Sequence, residues 1–329
     1  MLCLGIESTA HTFGASVVND RGKILSNVKD MYQTSKGGII PQKAAEHHRT
    51  LGNKIIKQAL KEAKTTLENI KVIAYSKGPG LPPSLLAGRD ITKKIALQYE
   101  KPVQEVNHLV AHLEIGKVLT RTKDPVFILA TGANTQIIAF EGKKYRIFGE
   151  TLSIGIGNAL DKLGRELGLG FPAGPKMEQL AKKGKYIELP YSVKGMDVEF
   201  SGIITKAISL FKKGTKKEDI CYSVQETMFA MLTEISERAL AHTDKKELLL
   251  IGGVAANKRL SEMLSIMCKE RKAKFYVVPV AYAGDQAAMI AYTGILQQKS
   301  NPLNFNKKGI EALDINPNWR SDQVNISWN

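Results

Sequence analysis

The sequence predicts an α/β fold built from two related lobes with mixed β-sheets. The chain has 329 residues, more than one hydrophobic core usually supports. Two segments, residues 2–29 and 126–150, share a plan of strand, turn, strand, turn and strand. Alternating helical and extended patterns follow each segment, as is typical of sheets flanked by helices.

The first lobe begins with three predicted strands joined by polar turns. Their sequences include LCLGIE, ASVV and KILSN, and the hydroxyl-rich turn STAHTFG separates the first two. A helix, AAEHHRTLGNKIIKQALKEA, and a strand, IKVIAYS, come next. The loop SKGPGLPPSLLAG then places Ser84 at a helix start. Such a rigid glycine loop either approaches a ligand closely or only connects two elements.

The second lobe repeats this plan with the strands VFILA, QIIAF and KYRIFGE. Further along, the apolar strand LLLIGG stops at Gly252 and Gly253, and Asn257 begins an amphipathic helix. Backbone amides at a junction of this kind favour a nucleotide or another anion. Strand-glycine-helix junctions are also common packing devices, so both readings stay open.

These patterns predict domain boundaries. We expect a first lobe at residues 1–120 and a second at 121–300, with a substrate-facing insertion at about 171–215. That insertion has no clear periodicity. The tail at 301–329 is rich in Asn and Pro and is expected to pack on the body.

Composition indicates a soluble globular protein and leaves an anionic partner open. Hydrophobic residues are 43% of the chain and charged residues 24%, which argues against extensive disorder. No apolar run approaches the length of a membrane span, and we expect a cytoplasmic protein without a membrane partner. Three isolated cysteines predict reduced, buried thiols. The net charge of +15 would attract nucleic acid, unless the surplus lysines only face solvent.

His108 and His112 have the spacing of metal ligands. They are four apart on a segment with helical character, which places both imidazoles on one face. Two histidines do not complete a site, and such a pair is more often structural than metal-binding. Asp285, which follows a glycine at a predicted helix start, is the best candidate for a third ligand. The general-base glutamate of an H-E-x-x-H zinc peptidase is absent, so a metalloprotease is disfavoured.

A set of ordered motifs resembles one known family over essentially the whole chain. These motifs include GIESTAHTFGASVV, IIPQKAAEHH, SKGPGLPPSL, VNHLVAHLEIGK, TGANTQIIAF, FPAGPKMEQLAKKG, IGGVAANKRL and NPNWRSDQV. They resemble the universal tRNA threonylcarbamoyl transferases, which comprise bacterial TsaD and the catalytic subunit of archaeal and eukaryotic KEOPS. The ending NPNWRSDQVNISW resembles the archaeal branch.

The resemblance implies an actin-like, Hsp70-like and sugar-kinase-like (ASKHA) fold. It implies a metal-dependent acyltransferase that moves the threonylcarbamoyl group from threonylcarbamoyl-AMP to the adenosine 3′ to the anticodon. His108, His112 and Asp285 match the family's ligands for one Fe²⁺ or Zn²⁺ ion per chain. Threonylcarbamoyl-AMP, or ATP or AMP, is expected in the cleft. The positions matching the substrate-binding residues are Leu129, Ala130, Thr131, Gly132, Ala133, Asp161, Gly174, Glu178 and Asn257. By spacing alone, Asp161 and Glu178 are more typical of solvated surface carboxylates than of ligand residues.

The family's partners are implied in the same way. They are tRNA and the other KEOPS subunits, including a dimerising adaptor and a small atypical protein kinase that is separate or fused. A nucleotide-binding KEOPS scaffold without turnover, a metalloprotease and a small-molecule kinase remain as alternatives.

Several positions depart from the family pattern. Leu129 stands where archaeal members commonly place a tyrosine metal ligand. The other departures are Lys43 for arginine, Ala133 and Ala173 for glycine, Ser153 for aspartate and Gln286 for asparagine. Without the tyrosine, three protein ligands and open coordination positions are expected.

Overall fold

A computed structural model describes residues 1–34 and 38–328. It divides the chain into two compact units, each with its own sheet. The first unit comprises Met1–Val118, Gly142–Tyr145 and Asp285–Asn329, and the second comprises Leu119–Glu141 and Arg146–Gly284.

The first unit is built on a five-stranded mixed sheet. Its strands are β1 (Leu2–Glu7), β2 (Thr12–Asn19), β3 (Ile24–Met31), β4 (Val72–Gly78) and β5 (Val103–Asn107). They lie in the order β3-β2-β1-β4-β5. The pairs β1/β2 and β2/β3 are antiparallel, and the pairs β1/β4 and β4/β5 are parallel.

Helices cover both faces of this sheet. The helices of the first unit are α1 (Pro41–Glu62), α2 (Pro82–Gln98), α3 (His108–Thr120), α9 (Ala287–Ser300) and α10 (Lys307–Glu311), and the ones that pack on the sheet are α1, α2 and α9. On one face, Leu4, Ile6 and Phe13 pack with the apolar stripe of α1 in a buried cluster. Gly5 lies on the opposite face, because successive strand residues alternate between faces. A Cβ atom there would lie only 2.5 Å from the carbonyl oxygen of Ala287, so glycine lets α9 approach the sheet closely.

The second unit repeats the plan. Its strands are β6 (Val126–Ala130), β7 (Thr135–Glu141), β8 (Lys144–Glu150), β11 (Glu247–Ile251) and β12 (Lys274–Val277), in the order β12-β11-β6-β7-β8. Here β6 and β7 are antiparallel, while β11 is parallel to both β6 and β12. The predicted fold class, two mixed sheets flanked by helices, is confirmed.

The helices of the second unit surround its own core. They are α4 (Ile156–Glu166), α5 (Gly174–Ala181), α6 (Ser201–Lys212), α7 (Lys217–Thr243) and α8 (Lys258–Glu270). A short hairpin of β9 (Val193–Lys194) and β10 (Asp197–Val198) lies between α5 and α6. The segment interpreted as irregular from its sequence therefore contains two helices, whose apolar residues join the core of this unit.

The predicted domain boundaries stay a prediction, and the structure adds two facts about them. Helix α9, inside the predicted range 121–300, packs against β1, β2 and β4 of the first unit. The tail packs through α10 against α2, and the indole N–H of Trp328 donates to Glu114 at 3.0 Å.

The structure also shows the state of the three cysteines and the character of the helices. Cys3, Cys221 and Cys268 are free and buried. Burial raises the pKa of the Cys221 thiol to about 12 and that of Cys268 to about 11, which makes both poor nucleophiles. No helix in residues 1–34 and 38–328 has the length and apolar character needed to span a membrane.

Candidate functional site

The two predicted metal-ligating histidines begin helix α3. The side-chain oxygen of Asn107 caps the helix by accepting hydrogen bonds from the backbone N–H groups of Leu109 and Val110, both at 3.0 Å. His108 and His112 are one turn apart, with ring centroids separated by 4.7 Å. The cap and the helical spacing thus hold both imidazoles at one place.

The Asp285 carboxylate lies close to both histidine rings. Its Oδ1 atom lies 3.4 Å from Nε2 of His108 and 3.4 Å from Nε2 of His112. One donor atom from each of the three residues lies within 4.8 Å of the others. Within the described residues, no other group of three or more His, Cys, Asp or Glu side chains is close enough to hold a metal ion.

A buried carboxylate orients His108 from the side away from Asp285. Glu7 ends β1 with no exposed surface, and its Oε2 atom lies 3.0 Å from Nδ1 of His108. Its other oxygen accepts hydrogen bonds from the backbone N–H and hydroxyl of Thr9, at 2.7 and 2.5 Å. Because Nδ1–H donates to this carboxylate, Nε2 is the ring nitrogen that faces Asp285, and it becomes a ligand atom once its proton is lost. The sequence analysis missed Glu7, although an acidic residue in the apolar strand LCLGIE was a signal.

Burial and neighbouring charges together set the pKa values of the three candidate ligands. Burial alone would lower the pKa of His108, but the Glu7 and Asp285 carboxylates outweigh it and raise this pKa to about 10. Burial opposes ionisation of Asp285 as well, yet hydrogen bonds from His108 and His112 hold its pKa well below the usual range. Burial lowers the pKa of His112. Metal binding at this group must therefore displace a proton from His108.

The residues present fit one divalent ion. Two imidazoles and a carboxylate are typical ligands of zinc and iron, and three protein ligands leave positions for water or substrate. The Nδ1 atom of His112 is buried and has no hydrogen-bond partner. The ring atom that faces Asp285 is Nε2, so a metal held by this group would not pair that Nδ1 atom, and the fit rests on the donor set. The His108, His112 and Asp285 group could thus hold one metal ion.

The predicted substrate residues lie in the second unit, and several lie where two parallel strands end. Ile251 of β11 pairs with Leu129 of β6, so both strands reach the same edge of the sheet. In α/β sheets, ligands bind at the carboxyl ends of parallel strands. The side chains of Leu129 and Ala130 are fully buried, which leaves only their backbone for a ligand. Gly132 and Ala133 are exposed.

The turn after β6 is held by hydrogen bonds on both sides. The backbone N–H of Thr131 donates to the carbonyl of Asn134 at 2.8 Å, and the N–H of Asn134 donates to the Thr131 hydroxyl at 3.0 Å. The turn rests on the start of α4, where Asn158 N–H donates to the carbonyl of Gly132 at 2.9 Å. A Cβ atom on Gly155 would lie 2.4 Å from the Ala133 carbonyl oxygen, so this close packing requires glycine there.

Gly252 is a second position that only glycine suits. Its φ is +102°, and a Cβ atom there would lie 2.2 Å from the carbonyl oxygen of Ala130. The glycine therefore lets the end of β11 turn directly beside the end of β6.

Asp161, Gly174, Glu178 and Asn257 are connected by a chain of contacts. The Asp161 carboxylate accepts a hydrogen bond from the backbone N–H of Ala173 at 2.8 Å, next to the first residue of α5. Glu178, four residues after Gly174 in the same helix, accepts a hydrogen bond from the backbone N–H of Lys258 at 3.0 Å. These two carboxylates thus hold loop and helix termini in place. Their role toward a ribose, like that of the other predicted substrate residues, stays a prediction.

Asn257 has a structural role that the sequence analysis did not assign. Its side-chain oxygen caps α8 by accepting a hydrogen bond from Leu260 N–H at 3.1 Å, and its amide donates to Gln225 at 3.3 Å.

The fold accommodates two of the departures from the family pattern. Ala173 has a φ of −84°, so alanine is unstrained there. Gln286 is fully buried and caps α9.

Residues 23–292 match the family model of TsaD, tRNA N6-adenosine threonylcarbamoyltransferase. This span covers well over half of the chain. The chain belongs to the TsaD family. The members of this family are acyltransferases that act on tRNA. Some of them match this chain over the whole length of both proteins.

Two such relatives show how far the likeness extends. The chain is 52% identical to the tRNA N6-adenosine threonylcarbamoyltransferase of Thermococcus sibiricus, with all of both chains covered. It is 47% identical to a probable bifunctional tRNA threonylcarbamoyladenosine biosynthesis protein of Methanocaldococcus jannaschii, of which it spans 60%.

A solved structure supports the fold of this TsaD-family chain. HypF of Thermococcus kodakarensis superposes with a TM-score of 0.65 at 15% identity, covering 93% of this chain and 48% of HypF. At this identity the likeness shows the fold alone, which is the actin-like, ASKHA type predicted from the motifs.

Proposed function

We propose that this chain transfers the threonylcarbamoyl group from threonylcarbamoyl-AMP to the adenosine 3′ to the anticodon of tRNA, as the catalytic subunit of a KEOPS complex. The observation that carries the proposal is the His108, His112 and Asp285 group in a chain that is 52% identical over its whole length to a named transferase.

The proposed reaction exchanges one bond to the carbamoyl carbon for another. The N6 amine of adenosine forms a bond to this carbon, the bond between the carbon and the phosphate oxygen breaks, and AMP leaves while N6 loses one proton. A metal ion bound at His108, His112 and Asp285 would supply Lewis-acid stabilisation of a phosphate or carbonyl oxygen.

The residues around the site position its ligands. Glu7 keeps the proton of His108 on Nδ1, so that Nε2 is available as a ligand atom. Lys29 donates from Nζ to the backbone carbonyl of Asp285 at 3.1 Å and so fixes the segment that carries this ligand. Two histidines and a carboxylate are a donor set that proteins use for both Fe²⁺ and Zn²⁺.

The second unit would hold the adenylate. We assign the donor's phosphate to the backbone of residues 129–133, where two parallel strands end at a glycine-rich edge. We assign its ribose and adenine to Asp161, Gly174, Glu178 and Asn257. The chain of contacts that links these four residues supports the assignment.

One observation favours a second candidate, a KEOPS scaffold that binds nucleotide without turnover. Leu129, at the position of the family's tyrosine ligand, is fully buried in β6 and its side chain cannot ligate a metal. A metalloprotease has no such support, because Leu109, Val110 and Ala111 are the only residues between the two histidines.

The partners follow from the proposed role. They are tRNA, a dimerising adaptor and a small atypical kinase, and the bifunctional name of the Methanocaldococcus jannaschii relative is consistent with a second activity joined to this one. A cytoplasmic location fits modification of tRNA.

Reconstitution separates the two candidates. The chain is incubated with bicarbonate, threonine, ATP, an adenylate-forming enzyme, KEOPS partners and unmodified tRNA, and the nucleosides are analysed by mass spectrometry. We expect threonylcarbamoyladenosine to accumulate only when the chain is present. Nucleotide binding without any modified nucleoside would support the scaffold and refute the transferase.

A further inference from the structure

Three lysine doublets that are separate in the sequence lie around one place in the second unit. Lys182 and Lys183 follow α5, Lys212 and Lys213 end α6, and Lys216 and Lys217 begin α7. Lys185 belongs to the same region. All seven side chains belong to exposed residues.

Specific contacts bring the loop after α5 onto the start of α7. The backbone N–H of Lys185 donates to the Asp219 carboxylate at 2.7 Å, and that of Ile187 donates to the Ser223 hydroxyl at 2.7 Å. A Cβ atom on Gly184 would lie 2.2 Å from the carbonyl oxygen of Glu218, so the loop lies directly against the helix. Helix α6 reaches the same place, because only residues 213–216 separate it from α7.

The ammonium groups of this cluster are not neutralised. Many basic side chains elsewhere are paired with carboxylates, as Lys77 is with Glu105 at 2.6 Å and Lys245 with Asp124 at 2.6 Å. In the part of the chain that the structure describes, none of the seven clustered lysines forms an ion pair. Lysines at helix C-termini also offset the helix dipole. That role accounts for one or two of them at α5 and α6, but not for Lys216 at the N-terminus of α7. The ammonium group of the neighbouring Lys217 donates to the carbonyl of Leu167 at 2.6 Å and keeps its positive charge.

The cluster lies one short helix from the proposed adenylate site. Helix α5 begins at Gly174, one of the predicted substrate residues, and ends just before Lys182. Its eight residues span about 12 Å. Tyr186, which is 58% exposed, adds a ring beside the lysines on which a base can stack.

We infer that the surface formed by these seven lysines and Tyr186, here called the lysine surface, docks the phosphate backbone of tRNA. This inference rests on the proposed function, since it assigns a docking surface for the proposed substrate. Phosphate contacts orient an RNA without reading its sequence. The lysine surface would therefore bind many tRNAs, while the adenosine itself is selected at the catalytic site and by partner subunits.

The test compares two triple variants of the full chain with equal charge loss. The first, K183A/K212A/K216A, removes one lysine from each doublet. The control, K54A/K57A/K61A, removes three exposed lysines from α1. Binding of unmodified tRNA to each isolated protein is measured across a salt series, and circular dichroism and thermal unfolding verify that each variant is folded.

We expect the lysine-surface variant to lose affinity on the order of 10-fold at low salt. The slope of log K against log salt concentration should fall by about 3, or one per lost phosphate contact. The α1 control should bind tRNA with the affinity of the wild type, and its affinity should depend on salt concentration as that of the wild type does. Equal binding by the two triple variants would overturn the inference. If the wild type makes no threonylcarbamoyladenosine in the assembled complex, the proposed function fails, while the binding comparison still decides the docking surface.

Discussion

Replacing Glu7 by glutamine should weaken metal binding although it changes neither the size of the side chain nor any predicted ligand. Glu7 now accepts hydrogen bonds from His108 Nδ1 at 3.0 Å and from the N–H and hydroxyl of Thr9. A glutamine has one acceptor oxygen and one NH₂ group, which only donates. If the NH₂ group faces His108, the proton of that ring must move to Nε2 and block the ligand atom. If it faces Thr9, it meets another donor.

The magnitude follows from the role of such supporting partners. Loss of a group that orients a ligating histidine typically costs 10- to 100-fold in metal affinity, or about 1.4 to 2.7 kcal/mol. Zinc affinity is measured by competition with a chelator of known strength. Glu105→Gln is the matched control, because Glu105 is a carboxylate of the same sheet that pairs with Lys77. We expect the control to bind zinc normally. Wild-type affinity in Glu7→Gln would refute the assigned orientation of His108.

Three further predictions concern single residues. Asn257→Ala should weaken nucleotide binding and spare metal binding. It should also cost about 1 kcal/mol of stability because Asn257 caps α8, whereas Asn257→Asp should keep the cap. Full affinity for AMP in the alanine variant would refute a ligand role. Gly252→Ala should lower the free energy of unfolding by at least about 2 kcal/mol in chemical denaturation. The reason is that the φ of +102° at Gly252 and the nearby Ala130 carbonyl exclude a side chain. An unchanged denaturation midpoint would show that the turn can rearrange. Trp328→Phe should lower the free energy of unfolding by about 1 to 2 kcal/mol in the same assay, because it removes a hydrogen-bond donor to the buried Glu114 carboxylate. Unchanged stability would mean that this hydrogen bond from the tail contributes nothing.

Local patterns were sufficient to predict the duplicated sheets and the candidate metal group. The two meanders are visible because polar turns interrupt short apolar strands at matching places. His108 and His112 are visible because a spacing of four residues places them on one face of a helix. Asp285 could be proposed because a glycine precedes it at a helix start, although its approach to both histidines is a tertiary fact.

Other features depend on contacts between distant parts of the chain. Glu7 and His108 are 101 residues apart, and no local pattern connects them. Helix α9 packs on the first sheet through the absence of a side chain at Gly5, which sequence periodicity does not reveal. Asn257 resembled a ligand residue at a helix start, yet the same position suits a helix cap, and only the geometry shows the cap.

Single-turnover transfer from preformed threonylcarbamoyl-AMP tests the central claim most directly. The assembled complex carries either the wild-type chain, His108→Ala, Asp285→Ala or the control His242→Ala, whose histidine is exposed on α7 outside the metal group. Modified adenosine in tRNA and bound metal are measured in the same samples. We predict that wild type and His242→Ala contain metal and form threonylcarbamoyladenosine, while His108→Ala and Asp285→Ala remain folded and form none. Full transfer and normal metal content in either ligand variant would contradict the claim.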